Sequence, residues 1–242
     1  GRRRQRQMCI RDRLNIEFNS KMNTIGSGIL QGLNKAIEIG EKNFQGLIIG
    51  NEGDNFSAGA DLGMIFMMSV EQEYEKLDIA IKYFQETMMK LRYSNIPTIA
   101  SPHGLTLGGG CELCMHADKV VAAAETYIGL VEFGVGLIPG GGGTKEMTLR
   151  TSESFKKNDV ELNILRESFL NIAMAKVSES AYQAFGLGIF QKEKDYVVVE
   201  NKRLLGIAKQ EIINIANRGY TKPIKNKAVS YTHLTLPTTT IV

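Results

Sequence analysis

The sequence predicts an α/β domain built around a buried sheet, with helices gathered towards its C-terminal end. Three observations predict it. Short apolar runs alternate with amphipathic stretches along the first two thirds of the chain. Most of those runs are apolar without a break, as in strands covered on both faces. Beyond the polar residues 151–161 only helical periodicity remains.

Each element has its own warrant. Residues 14–18 alternate apolar and polar side chains, as a half-buried strand does. Ile25, Ile29, Leu33 and Ile37 recur every fourth residue and mark one face of a helix. Residues 44–50 read as a buried strand. Leu77, Ile81, Phe84, Met88 and Leu91 step by four and three, the spacing of an amphipathic helix. Residues 97–100 and 119–122 read as further strands, and 151–161 as a surface loop. Helices are expected over 162–174, 178–185 and 201–217, the second with Ser178 as its N-cap. No internal repeat is visible.

The two ends are set apart from this domain. Codons for Met8 to Asp12 exist whose reverse complement encodes residues 229–233, and the pairing continues outward from Gln7 with Leu234 to Gly1 with Thr240. Nothing about a folded protein requires complementary codons. Residues 1–13 and 227–242 are therefore read as one adapter-like DNA sequence translated in opposite orientations, flanking a native domain at 14–226. The roughly 215 residues between them suffice for one domain with a sizeable core.

This changes the charge balance. The chain carries 29 Lys and Arg against 26 Asp and Glu, but residues 1–12 hold five Arg and one Asp, and 229–242 hold no charge. The remainder is near neutral, 24 against 25. The Arg cluster that would suggest a nucleic-acid partner goes with the ends, and none is expected. Cys9 goes too, leaving Cys111 and Cys114, which form no disulfide framework and suit a reducing cytoplasm. No run approaches the ~18 apolar residues of a membrane span, so no membrane partner is expected.

Two glycine-rich stretches carry the chemistry. Gly140-Gly141-Gly142-Gly143-Thr144-Lys145 has Thr and Lys in the wrong order for a phosphate loop, and no dinucleotide fingerprint starts in 104–110 or 134–143. Cys111-x-x-Cys114, even with His103 and His116 nearby, lacks the second pair that zinc spacing requires, so these side chains are read as packing. In Gly108-Gly109-Gly110-Cys111-Glu112, glycine lets backbone N–H groups approach a ligand, and a helix starting there aims its unpaired N–H groups at it. Glu112 would lie one turn further on, over the same face. That suits proton transfer beside an enolate held in an oxyanion hole. Close helix–sheet packing with Glu112 in solvent remains the alternative.

The chain resembles the enoyl-CoA hydratase (crotonase) family in four linked motifs, in that family's order and spacing. These are Phe56-Ser57-Ala58-Gly59-Ala60-Asp61-Leu62; Gly104-Leu105-Thr106-Leu107-Gly108-Gly109-Gly110-Cys111-Glu112-Leu113; Gly129-Leu130-Val131-Glu132; and the run from Gly136 to Thr144. The resemblance implies a crotonase-like core of repeated ββα units in a spiral, followed by C-terminal helices. It implies that the backbone N–H groups of Ala60 and Gly109 hold a thioester oxygen, and that Glu112 and Glu132 are the two catalytic carboxylates. Phe56, Ala58, Gly59, Asp61, Leu62 and Gly108 would bind substrate, with Asp61 also capping the next helix. Gly140 to Gly143 would shape a helix start beside the pocket.

The implied reaction is hydration of a trans-2-enoyl-CoA in fatty-acid β-oxidation, without metal or cofactor. Isomerisation of a 3-enoyl-CoA is the competitor, disfavoured because both Glu112 and Glu132 are present; a non-catalytic acyl-CoA-binding module is the third reading. The form of the last two motifs is similar to the hydratase part of bacterial bifunctional proteins. This implies a missing NAD-dependent 3-hydroxyacyl-CoA dehydrogenase part. A homo-oligomer is the family's common assembly.

Overall fold

Branched apolar side chains favour a pleated surface covered on both sides, and the short runs rich in them become strands. The computed structural model describes residues 13–156 and 159–224. The strands are β1 (Leu14–Ile16), β2 (Leu47–Ile49), β3 (Thr98–Ala100), β4 (Gly104–Leu107), β5 (Lys119–Ala123), β6 (Thr126–Gly129) and β7 (Tyr196–Val198). The helices are α1 (Ser27–Asn43), α2 (Leu62–Val70), α3 (Tyr74–Arg92), α4 (Gly109–His116), α5 (Gly143–Glu153), α6 (Glu161–Ala173), α7 (Ala181–Gly186) and α8 (Leu204–Asn217).

Five strands make one parallel sheet in the order β1-β2-β3-β5-β7. Its register pairs Leu14 with Leu47, Leu47 with Thr98, Ile99 with Lys119 and Val121 with Tyr196. Side chains alternate between its faces with the period of two that a strand imposes. Leu47, Ile49, Ala100, Val120 and Ala122 join Leu33, Ile37, Met88 and Leu91 from α1 and α3. Ile48, Ile99, Val121 and Ala123 instead meet Ala208 and Ile212 of α8. Each fully buried Leu or Ile here contributes about 1.5–3 kcal/mol.

Strands β4 and β6 form a second, two-stranded parallel sheet. The chain therefore enters the large sheet at β3, the small one at β4, and then turns into α4. The same order recurs with β5, β6 and α5. These are the repeated ββα units that the resemblance implies, and the helices beyond residue 160 follow as expected.

Three expectations need correction. Ser180, not Ser178, caps α7: its hydroxyl accepts from the Gln183 N–H at 3.3 Å. Ser178 is occupied elsewhere, its hydroxyl accepting the Ile128 N–H of β6 at 3.1 Å. The loop expected over 151–161 is shorter, because Thr151 to Glu153 complete α5 and Glu161 opens α6. Helix α2 and strands β4, β6 and β7 lie outside the elements the periodicity predicted. Apart from Arg13, the residues of the adapter reading lie outside the described ones. No described helix is long and apolar enough to cross a membrane.

Candidate active site

The small sheet brings the candidate residues together. β4 and β6 run parallel with Leu107 opposite Gly129, so their carboxyl ends emerge side by side. β4 leads through Gly108 into α4 and Glu112; β6 leads through Leu130 and Val131 to Glu132, which opens a short 3-10 turn. A bridge between Ser57 and Thr106 lays the segment around Ala60 along the other side of β4. Ligand sites commonly form outside the carboxyl ends of parallel strands.

Glycine is required where these segments meet. Gly108 has φ of +49°, and a side chain there would come within 3.0 Å of Glu132 Oε1. Gly59 has φ of +94°, and a side chain would press on Leu107 O at 2.8 Å. That close approach sets Gly59 beside the N–H of Gly109. Among the described residues, no acceptor takes the N–H of Ala60 or of Gly109. The Gly109 N–H is the first of α4, while Ala60 precedes the Asp61 cap of α2.

Ala58, Gly59, Ala60, Leu62, Gly108, Gly109, Glu112 and Glu132 line one cavity of about 180 Å³. Its apolar side, with Ile65, Leu77, Ile81 and Phe84, is shared with a smaller adjoining cavity under α2 and α3. Phe56 and Asp61 stand outside the main cavity. The Phe56 side chain is in the core, its N–H goes to His103 O, and its carbonyl accepts from Asn51. Asp61 caps α2, accepting from the N–H groups of Gly63 and Met64, and borders the adjoining cavity.

Glu112 is not in solvent. It is 1% exposed, and its Oε1 accepts the N–H groups of Gly141 and Gly143, each at 2.8 Å. The packing alternative with a solvated Glu112 therefore falls. Burial raises the Glu112 carboxyl above its ordinary range, while the N–H groups of Gly143, Gly141 and Gly142 pull against that rise. Glu132 has only its own backbone N–H in support, and its buried Oε2 has no partner. Burial first, and the neighbouring Glu112 charge second, push its carboxyl up to about 7.

The glycine run 140–143 thus does more than start a helix, because its N–H groups hold Glu112. A side chain at Gly141 would stand 2.6 Å from Glu112 Oε2 and 2.7 Å from Phe84 Cε1. The run's missing side chains were visible in the sequence; its partner, about thirty residues earlier, was not. Cys111 and Cys114 are buried, free thiols that burial holds protonated. Among the described residues, no three His, Cys, Asp or Glu groups converge in a manner that could hold a metal ion.

A parallel-stranded ββα core with two carboxylates and two free N–H groups on one cavity defines an α/β domain of crotonase-like form. Residues 13–156 match the profile of the enoyl-CoA hydratase/isomerase family, and the chain belongs to that family. It is 45% identical over 212 residues to a Bacillus subtilis protein named "Probable 3-hydroxyacyl-CoA dehydrogenase", covering 88% of this chain and 26% of that protein. It is 32% identical over 204 residues to a Rickettsia prowazekii protein named as a fatty acid oxidation complex trifunctional enzyme, covering 83% and 27%. The chain spans about a quarter of the length of these relatives. Among solved structures, an enoyl-CoA hydratase from Polaromonas sp. JS666 superposes with a TM-score of 0.70 at 21% identity, over 85% of this chain and 74% of that one. One from Bacillus anthracis superposes with a TM-score of 0.69 at 25% identity, over 85% and 73%.

Proposed function

We propose that the chain hydrates trans-2-enoyl-CoA thioesters to 3-hydroxyacyl-CoA. The observation that carries this reading is the pair of carboxylates on one cavity, Glu112 buried and Glu132 half-buried, with two N–H groups without acceptors on the same cavity. The thioester oxygen takes the N–H groups of Ala60 and Gly109, which strengthen their hold as it gains enolate charge. Water lies between Glu112 and Glu132. Glu112, with two N–H donors supporting its ionised form, accepts the water proton as hydroxide adds to the β-carbon. Glu132, which keeps a proton up to about pH 7, delivers it to the α-carbon. Both carboxylates border the same cavity, so addition is syn. The adjoining apolar cavity takes the acyl chain.

The product, a 3-hydroxyacyl-CoA, is the substrate class in the name of the Bacillus subtilis relative. With the quarter-length coverage, this supports a reading in which the chain is the hydratase part of a longer, bifunctional β-oxidation protein. NAD would serve that further part; the site described here calls for no cofactor. Exposed Leu162, Phe169 and Met174 on α6 support a homo-oligomer.

The test is hydration of crotonyl-CoA against isomerisation of a 3-enoyl-CoA. Hydration is expected, with Glu112→Gln and Glu132→Gln each lowering kcat by about 10²–10⁴-fold. Isomerisation without hydration would overturn the reading in favour of the isomerase. Undiminished turnover in either variant would overturn the two-carboxylate mechanism.

A further inference from the structure

One buried cluster is unused by this mechanism, and it sits directly behind Glu112. His116 is one turn beyond Glu112 on α4 and is 1% exposed. Its Nδ1 lies 2.7 Å from the Glu112 carbonyl oxygen. A carbonyl only accepts, so Nδ1 carries the proton and donates it there. The other edge of the ring lies under the glycine run, where a side chain built on Gly142 would stand 3.3 Å from His116 Cε1 and Nε2. His116 is therefore wedged between the helix that carries Glu112 and the turn whose N–H groups hold its carboxylate.

The wedge is itself held. Glu146 is on α5, one turn past Gly142, whose carbonyl accepts the Glu146 N–H at 3.0 Å. Its carboxylate is 1% exposed and faces His116 Nε2 at 3.7 Å. Arg92 from α3 bonds its Oε2 at 2.6 Å, Lys145 approaches Oε1 at 3.4 Å, and Arg150 Nε lies 4.0 Å from Oε2. Burial opposes charge on Glu146, but the cations Arg92, Lys145 and Arg150 outweigh it and hold the group below its ordinary range. Burial likewise holds His116 neutral, down to about 4. Arg150 also ties Met115 O and Ile189 O. Arg92 and Glu146 thus join α3 to α5, and His116 seats α4 against them by packing, its Nε2 making no hydrogen bond among the described residues.

We propose that His116 and Glu146 are positioning residues: together they fix the glycine turn against α4, so that the N–H groups of Gly141 and Gly143 stay on the Glu112 carboxylate. This rests on the reading of Glu112 as a reacting group. Neither residue touches substrate. Their effect passes through two N–H bonds that favour the ionised carboxylate, so loosening the turn raises the Glu112 proton affinity as well as misplacing it.

The experiment is the pH dependence of crotonyl-CoA hydration by His116→Leu, His116→Asn and Glu112→Gln. His116→Leu fills the space without a donor. Its kcat is expected to fall about 10²-fold with KM nearly unchanged, and the acid limb of kcat/KM to move up by about one pH unit. His116→Asn keeps a donor at the reach of Nδ1 and should restore most of both. A wild-type kcat and acid limb in His116→Leu would overturn the proposal, provided Glu112→Gln is inactive. An active Glu112→Gln would instead overturn the reading beneath it. Should His116→Leu fail to fold, Arg92→Gln carries the test, because the Arg92 side chain reaches solvent at 28% exposure. An acid limb that stays in place there refutes the proposal, and one that moves upward supports it.

Discussion

Replacing Glu132 by Gln should stabilise the protein at alkaline pH while removing its activity. Glu132 keeps its proton up to about pH 7 in the folded chain, against an ordinary value of 4.5. Between those limits the native state binds more protons than the unfolded one, so stability falls as pH rises through the interval. Above pH 7 the loss is complete. A gap of roughly 2.5 pH units at 1.36 kcal/mol each makes it about 3 kcal/mol at most, since the side chain is only half-buried. Gln does not titrate and avoids the cost. Its gain over wild type should be near zero at pH 4.5 and approach 3 kcal/mol at pH 8.5, about 6–10 °C in Tm for a domain of this size. Urea unfolding of both proteins at the two pH values measures this. An equal difference between them at pH 4.5 and 8.5 would refute both the raised proton affinity and the assignment of Glu132 as the acid.

The glycine positions divide by what surrounds them. Gly141→Ala drives a methyl group into Glu112 and Phe84, so kcat should fall about 10²-fold with 1–3 kcal/mol of stability lost; steady-state kinetics and a thermal melt read both. Gly32→Ala, in the interior of α1 with nothing within 4 Å, should instead gain about 0.5–1 kcal/mol with kcat unchanged. Ser180→Ala removes the α7 cap and should cost about 1 kcal/mol in urea unfolding.

What was legible in the sequence follows from where each physical signal resides. Strands β2, β3 and β5 were readable as unbroken apolar runs covered on both faces, and helices α1 and α3 because one buried face imposes its period on neighbouring residues. α2 escaped because Leu62 to Val70 is apolar nearly all round, so no face stands out. β4 and β6 escaped because each is four residues long, with Gly and Thr among them. Ser178 and Ser180 are equally good caps in isolation; the Ile128 N–H, fifty residues away, decides between them. Glu112 was legible as the carboxylate one turn past a glycine helix start, and Glu132 only through family resemblance. His116 was taken as packing because its bond to the Glu112 carbonyl and its seat under Gly142 exist only once α4 and α5 have met.

The inequality of the two carboxylates is a product of the same topology. Parallel pairing of β4 with β6 forces the residues after each strand to one end of the sheet, which brings two acids into one dry cavity. If both were equally supported, both would lose their protons together and addition across a double bond would lack a donor. The glycine run breaks that equivalence by giving two N–H groups to Glu112, whereas Glu132 has only its own backbone N–H and an unpartnered Oε2. On the proposed reading, Glu132 keeps its proton up to about pH 7 and holds it for the addition. The fold tolerates the resulting cost of about 3 kcal/mol because strands covered on both faces supply far more through burial. An acid of this kind is where activity and stability should trade against each other. Glu132→Gln is therefore expected to gain the stability at the same position where it loses the reaction.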